Sequence, residues 1–96
     1  MRILDKDYEV RYNLRSMLVF EQITDKPFEV KTLLDTYILF YSCLVSVKTN
    51  PSLDFDNFID WCSNHPETIE EFKDLISDEN KKRELVDKKK VMEENN

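Results

Sequence analysis

The 96-residue chain contains no glycine, and it has only one histidine, one tryptophan and two cysteines. Without glycine it cannot form a phosphate-binding P-loop or a dinucleotide-binding turn, because both need glycine where the backbone approaches the ligand. A calcium-binding loop is excluded as well, since its sharp turn depends on a central glycine. The best-known nucleotide and calcium motifs are therefore absent from this sequence.

Signatures of metal binding and nucleophilic catalysis are also missing. His65 follows Cys62 at a spacing of three residues, but the chain has no second histidine and no pair of cysteines separated by two residues. A structural zinc site needs four such ligands. A catalytic cysteine–histidine pair needs a third residue to orient the histidine, and none is evident. We therefore predict a protein that is not an enzyme and that has no cofactor or metal.

Long apolar runs are absent too. No stretch approaches the roughly 20 apolar residues that a transmembrane helix requires. The N-terminal sequence MRILDKDYEV lacks the apolar core of a signal peptide. We expect a cytoplasmic protein with no membrane partner, in which Cys43 and Cys62 are reduced, buried thiols.

The net charge of −6 is unevenly distributed along the chain. Residues 77–96 hold six basic and six acidic residues, whereas residues 54–74 hold seven acidic residues and one lysine. Nucleic acid is a poor partner for such a surface, because phosphate binding requires a basic footprint. A basic protein partner suits it better. Because so small a domain buries only about 60% of the surface that its unfolded chain exposes, its stability should be modest, and self-association into a homo-oligomer is a further expectation.

The hydrophobic pattern predicts an all-α fold, a small bundle of about four helices behind a short N-terminal extended segment. Residues 8–12 alternate between apolar and polar side chains, which favours a short strand or an extended lead-in. Asn13 is predicted to cap a first helix that other helices largely enclose. Its apolar positions are Leu14, Met17, Leu18, Phe20 and Ile23.

Three further helices follow. Thr32 and Asp35 form a capping box for the second helix, which is predicted to run to about Val47 and to be the central one. Leu34, Tyr37, Ile38, Tyr41, Leu44 and Val45 line one of its faces, and Leu33, Phe40 and Cys43 flank another, so that the helix is apolar on nearly all sides. Asp54 caps a third helix over residues 55–63, and Pro66 begins the fourth. Residues 1–76 thus form a single domain, and residues 77–96 are expected to be a charged tail, helical in part and otherwise disordered.

The corner between the first two helices has to be built without glycine. Pro27 ends the first helix, since the residue before a proline is driven out of the helical conformation. We predict that Asp25 or Lys26 adopts a left-handed backbone conformation there. Phe28 is then expected to fold back onto Phe20 and Ile23.

Three segments resemble the tail assembly chaperones of long-tailed bacteriophages and prophages. Residues 15–28, RSMLVFEQITDKPF, are similar to that family's pattern R-x-M-x-x-F-E-x-x-T-G-K-x-F. Residues 37–44, YILFYSCL, resemble the helix D-x-x-x-L-x-Y-A-A-L, and residues 53–60, LDFDNFID, resemble the element L-T-x-E-E-F-x-D. The order and spacing of all three agree over about residues 8–72.

The chain departs from the family pattern at two places. Asp25 stands where the family has glycine, and Ser42 with Cys43 replaces two alanines. Both changes are tolerable, because aspartate enters the left-handed region more readily than most residues and serine and cysteine are small.

The resemblance implies a helical protein that binds the tail tape-measure protein in the cytoplasm of the infected cell. It also implies that the protein helps to recruit tail-tube subunits and is absent from the mature virion. For the binding surface we predict a groove between the second and third helices, because a long amphipathic client requires an apolar groove. Its predicted anchors are Tyr41, Phe58 and Trp61, and its predicted acidic rim comprises Asp56, Asp60, Glu70 and Glu71.

Two other classes of protein remain open. The acidic stretch at residues 54–74 also suits an acidic DNA mimic of a mobile element, which would inhibit a DNA-processing protein. The aromatic residues in that stretch favour packing over mimicry. The simplest alternative is a small homo-oligomeric structural protein without a client.

Overall fold

The structure, a computed structural model, describes residues 1–78. Its elements are β1 (Arg2–Ile3), β2 (Lys6–Asp7), α1 (Leu14–Thr24), α2 (Leu33–Val45), α3 (Phe55–Asn64) and α4, which occupies residues 66–78. This arrangement confirms the predicted all-α bundle of four helices with a short N-terminal extended segment. Most of the predicted charged tail, residues 79–96, lies outside the described residues.

The N-terminal segment differs from its prediction in detail. The two strands β1 and β2 form a small antiparallel pair in which Ile3 lies opposite Lys6. Residues 8–12 are not a strand, although their side chains do alternate: Tyr8 is buried, whereas Glu9 and Arg11 are exposed. The Arg11 backbone N–H donates a hydrogen bond to the Cys43 carbonyl oxygen at 3.2 Å. The alternation therefore belongs to an extended segment that packs on helix α2 and is not a strand of a sheet.

Helix α1 begins and ends where the sequence predicts. The Asn13 side chain accepts a hydrogen bond from the Ser16 N–H at 3.1 Å, and the Ser16 hydroxyl accepts one from the Asn13 N–H at 2.9 Å. After the last turn, Asp25 adopts left-handed angles, φ 55° and ψ 37°. The Phe28 ring returns to within 5.1 Å of the Phe20 ring, and its N–H donates to Glu21. The predicted left-handed corner is thus confirmed, with Asp25 as the residue that makes it.

The enclosure of α1 was predicted wrongly. Only Ser16 and Phe20 are buried in this helix. Leu14, Leu18 and Ile23 are exposed, with Leu14 retaining 69% of its accessible surface. The physical reason is that α1 packs on α2 through one face, and no described element covers Leu14, Leu18 or Ile23.

Helix α2 has the predicted capping box. The Asp35 Oδ2 atom accepts hydrogen bonds from the Lys31 and Thr32 N–H groups at 3.0 and 3.2 Å, and the Asp35 N–H donates to the Thr32 hydroxyl. The helix ends at Val45, two residues earlier than predicted. In its first turn Leu33 and Leu34 are exposed, whereas Asp35 is buried.

Aromatic packing makes α2 the central helix, as predicted. The Phe40 ring meets Phe58 of α3 edge-on at 4.9 Å and stacks on Phe72 of α4 at 4.3 Å. Both cysteines are free and buried, which confirms the predicted buried thiols. Loss of solvent raises the pKa of Cys43 to about 12 and that of Cys62 to about 11.

Candidate protein-binding groove

An open groove of about 450 Å³ lies between α2 and α3. We term it the α2–α3 groove. Its lining residues are Leu33, Leu34 and Tyr37 from α2 and Phe55, Ile59, Cys62 and Ser63 from α3. All of them except Ser63 present apolar or largely apolar side chains. The groove lies between the two helices for which one was predicted, but none of its lining residues is among the predicted anchor and rim residues.

The wall formed by α2 depends on the capping box. Thr32 and Asp35 fix the first helical turn, and the Asp35 side chain is itself buried there. Leu33 and Leu34 lie in this turn and are exposed, with Leu33 retaining 70% of its accessible surface. Because capping by Thr32 and Asp35 satisfies the backbone donors there, the two leucines are held in place although they are exposed.

The opposite wall and the floor come from α3. With 3.6 residues per turn, Phe55, Ile59 and Cys62 share one face of this helix. Cys62 is 4% exposed and lies deepest, whereas Phe55 and Ile59 are half-buried. A guest side chain would therefore contact both of these walls and stop above the Cys62 thiol.

Phe58 is a core residue and not a surface contact. Its side chain has no exposed surface, and its ring lies 4.9 Å from that of Phe40 and 6.2 Å from that of Phe55. The placement of Phe58 among the groove anchors is therefore corrected. It supports Phe55, which does line the groove.

Tyr41 also supports the groove without lining it. Its hydroxyl donates a hydrogen bond to the Leu53 carbonyl oxygen at 2.6 Å, and its ring meets Phe55 edge-on at 5.1 Å. Burial, followed by the nearby charge of Asp54, raises the pKa of Tyr41. Tyr41 thus positions the start of α3 and is not itself a lining residue.

Trp61 lies on another side of α3. It is two residues from Ile59, a rotation of about 200° around the helix. Its ring stacks on the His65 imidazole, with centroids 3.6 Å apart and planes 12° apart, and His65 Nδ1 lies 2.9 Å from the Trp61 carbonyl oxygen. The buried Trp61 Nε1 has no hydrogen-bond acceptor among residues 1–78. The structure therefore separates Trp61 from the α2–α3 groove.

The four predicted acidic residues divide into two pairs. Asp56 and Asp60 are exposed on α3 and lie beside the groove residues of that helix. Glu70 and Glu71 are exposed on α4, whose described residues do not contribute to the groove lining, and Glu70 lies 3.5 Å from Lys73. Asp56 and Asp60 are thus near the groove, and Glu70 and Glu71 are not among its residues.

The sequence did contain a signal for the residues that were missed. The second helix is apolar on nearly all sides, and a helix of that kind has more apolar surface than a few neighbours can cover. Its first turn, Leu33 and Leu34, is furthest from the centre of the bundle. An exposed apolar turn could therefore have been predicted there.

No protein-family model, no curated protein and no solved structure matches this chain. Among residues 1–78, each helix is too short or too polar to cross a lipid bilayer. Within the same residues, no three histidine, cysteine or carboxylate side chains are grouped so that they could hold a metal ion. We therefore infer function from the chemistry of the α2–α3 groove together with the resemblance over about residues 8–72.

Proposed function

We propose that this protein is a phage or prophage tail assembly chaperone and that its α2–α3 groove binds the tail tape-measure protein. The observation that supports the proposal is an apolar groove with two exposed leucines at its edge. A tape-measure protein is a long helical chain whose apolar face has no partner before the tail is assembled. A protein that protects it must offer an apolar surface of this kind.

The groove suits one face of an amphipathic helix. Such a helix presents apolar side chains at positions i, i+3, i+4 and i+7, which can enter between the leucine wall of α2 and the Phe55–Ile59 wall of α3. Complete burial of a leucine contributes roughly 1.5–3 kcal/mol. Leu33 and Leu34 are therefore the strongest candidates for residues that provide binding energy.

The charge around the groove favours a client with basic flanks. Residues 49–72 contain six acidic residues and no lysine or arginine. Asp56 and Asp60 are exposed and directly follow the groove residues Phe55 and Ile59 in α3, and we expect them to meet lysines that flank the apolar face of a client. Such exposed pairs accelerate association and set orientation more than they add affinity.

Other parts of the role follow from the same resemblance. We propose that the protein acts in the host cytoplasm, helps to bring tail-tube subunits to the tape-measure protein, and is not retained in the virion. Self-association is compatible with this role, because a long client can hold several copies side by side.

The test is co-expression with the tape-measure protein of the same phage or prophage, followed by affinity purification. Leu33→Asp combined with Leu34→Asp should abolish co-purification, since two charges would enter the apolar groove. Leu14→Asp is the matched control, because Leu14 is as exposed as Leu33 but lies on α1, outside the groove. If the wild-type protein does not retain the tape-measure protein, the chaperone function is wrong. If the wild type and both variants retain it equally, only the groove assignment is wrong.

The acidic stretch at residues 54–74 supports the DNA-mimic alternative, because it holds seven acidic residues and only one lysine. A mimic of phosphate groups has no use for an apolar groove, however, which makes it the second candidate. Capture of a nuclease or a repressor in place of the tape-measure protein would favour the mimic.

A further inference from the structure

The α2–α3 groove has apolar surface that the described part of the chain leaves uncovered. Leu33 and Leu34 are 70% and 59% exposed, and Phe55 and Ile59 on the opposite wall are only half-buried. Contiguous exposed apolar surface marks a binding site and makes a protein prone to aggregate while the site is empty. The free protein would therefore gain from an occupant that covers the groove before a client arrives.

The acidic residues beside the groove have no cationic partner in the described fold. Asp56 and Asp60 are exposed and directly follow the groove residues Phe55 and Ile59. Neither forms an ion pair with a residue of 1–78, although other carboxylates of this region do. An occupant with basic residues next to its apolar side chains would therefore meet uncompensated negative charge at the groove.

The chain itself contains a segment with the complementary composition. Residues 81–92, KKRELVDKKKVM, hold six basic and two acidic residues, a net charge of +4, and we term them the basic segment. The rest of the chain holds eight basic and 18 acidic residues, a net charge of −10. The segment has two apolar pairs, Leu85 with Val86 and Val91 with Met92, and each pair follows a group of three cations. It therefore combines the apolar side chains and the basic flanks that suit the groove.

The length of chain beyond α4 decides which apolar pair can reach the groove. Helix α4 begins two residues after the end of α3, whose last turns line the groove, and its 13 residues carry the chain about 20 Å. The seven residues from position 78 to Leu85 span at most about 25 Å, and the 13 residues to Val91 span at most about 45 Å. The second apolar pair can therefore return to the groove with chain to spare, whereas the first would need a fully extended chain.

From these features we infer that Val91 and Met92 occupy the α2–α3 groove of their own molecule until a client displaces them, with the lysines of residues 88–90 beside Asp56 and Asp60. A tethered segment has an effective concentration in the millimolar range, so that even weak contacts fill the groove in many molecules. Methionine suits such a site, because its side chain adapts to irregular apolar surfaces. The inference rests on the proposed function, since it assigns a form of regulation to the same groove.

Such a contact changes which clients the groove accepts. The apparent affinity for a client falls by the fraction of molecules in which the groove is open. A client with a long apolar face contacts more of the groove than one apolar pair does, and it can displace the basic segment. A short apolar segment of another protein lacks that advantage. The contact therefore favours long amphipathic clients.

The test is alkylation of Cys62 by iodoacetamide in the full chain, without a client. Cys62 lies at the floor of the groove, so that a segment bound above it slows the reaction. Val91→Ser/Met92→Ser should raise the rate at Cys62 by about threefold or more, the result expected if the wild-type groove is closed in at least about two thirds of molecules. Cys43 lies in the core and should keep its rate, which shows that the variant is folded.

Leu85→Ser/Val86→Ser is the matched control in the same segment and should react at Cys62 like the wild type. The wild-type rate should be the same at low and high protein concentration, because the contact lies within one molecule. Three results would overturn the inference: no acceleration by Val91→Ser/Met92→Ser, equal acceleration by both double variants, or protection that is lost on dilution, which would identify a second copy as the occupant.

The experiment separates this inference from the proposed function. The rate at Cys62 is measured without a client, so that an unchanged rate rejects the contact and leaves the chaperone function standing. Conversely, failure to co-purify the tape-measure protein rejects the chaperone function, whereas the change in rate at Cys62 would still show that the basic segment covers the groove.

Discussion

The rings of Phe40 and Phe72 lie almost parallel, with centroids 4.3 Å apart and an angle of 7° between their planes. Both side chains are almost fully buried, and the contact joins the central helix α2 to α4. Because the described part of α4 contributes only Ile69 and Phe72 as buried apolar side chains, this stack is its principal attachment to the bundle.

Phe72→Ala should lower the free energy of unfolding by about 3–5 kcal/mol, because it removes a stacked ring and leaves a cavity. Urea denaturation followed by circular dichroism measures the change. Leu75→Ala is the control on the same helix, and it should change the stability by no more than about 0.5 kcal/mol because Leu75 is exposed. Equal stabilities of the two variants would show that α4 does not depend on the stack.

Local features of this fold could be predicted from the sequence because their causes are local. Asn13, Thr32 and Asp54 cap the three helices that follow them, and each does so through a side chain that accepts an N–H bond three residues ahead. A proline and the lack of any glycine were enough to place a left-handed residue near Asp25. None of these features requires knowledge of distant parts of the chain.

Burial could not be predicted in the same way. Periodicity shows which residues share a helix face, but not whether another element covers that face. Leu14 and Leu34 have the pattern of core residues and are exposed, because no other element of the described chain covers them. The same uncertainty affected the candidate site. The groove was predicted between the correct two helices, but Phe58 lies beneath it in the core and Trp61 lies on another side of α3.

The left-handed corner leads to a prediction about Asp25. An L-residue in this conformation costs up to roughly 1–2 kcal/mol, and glycine avoids the cost at the expense of more freedom in the unfolded chain. Asp25→Gly should therefore raise the free energy of unfolding by about 0.5–1 kcal/mol. Asp56→Gly is the matched control: Asp56 lies within α3 at an ordinary negative φ, so that glycine should lower the stability there. A loss of stability in Asp25→Gly would contradict the free-energy cost that we attribute to the left-handed conformation of Asp25.

Asp35 should make the stability depend on pH. The backbone N–H groups of Lys31 and then Thr32 hold the pKa of this carboxyl below its ordinary value. Because the folded-state pKa is the lower one, the stabilisation is present above the unfolded-state pKa of about 3.9 and is lost as the pH falls through the folded-state pKa.

Urea denaturation at a series of pH values from neutral to acidic tests this dependence. Asp35→Asn should be less stable than the wild type at neutral pH, and the difference should shrink as the solution becomes acidic. Asp60→Asn provides the comparison, since Asp60 is exposed and its side chain caps no helix. A difference between Asp35→Asn and the wild type that stays constant at all pH values would rule out the carboxylate as its source.

The two thiols should differ in reactivity. Burial raises the pKa of Cys62 to about 11 and that of Cys43 to about 12, and alkylating reagents attack the thiolate. Both should therefore react slowly with iodoacetamide at neutral pH, and the rate should rise about tenfold per pH unit as the thiolate population grows. Cys62 should react first, since it lines the α2–α3 groove, whereas Cys43 lies wholly inside the core.

Peptide mass spectrometry of the alkylated chain identifies which thiol has reacted. Cys62→Ser should leave only the slower reaction, and Cys43→Ser only the faster one. A helical peptide that occupies the groove should protect Cys62 in proportion to its binding and leave the rate at Cys43 unchanged, because the peptide would stand between reagent and thiol. If Cys43 is alkylated first, or if a bound peptide gives no protection, Cys62 is not the floor of an accessible groove.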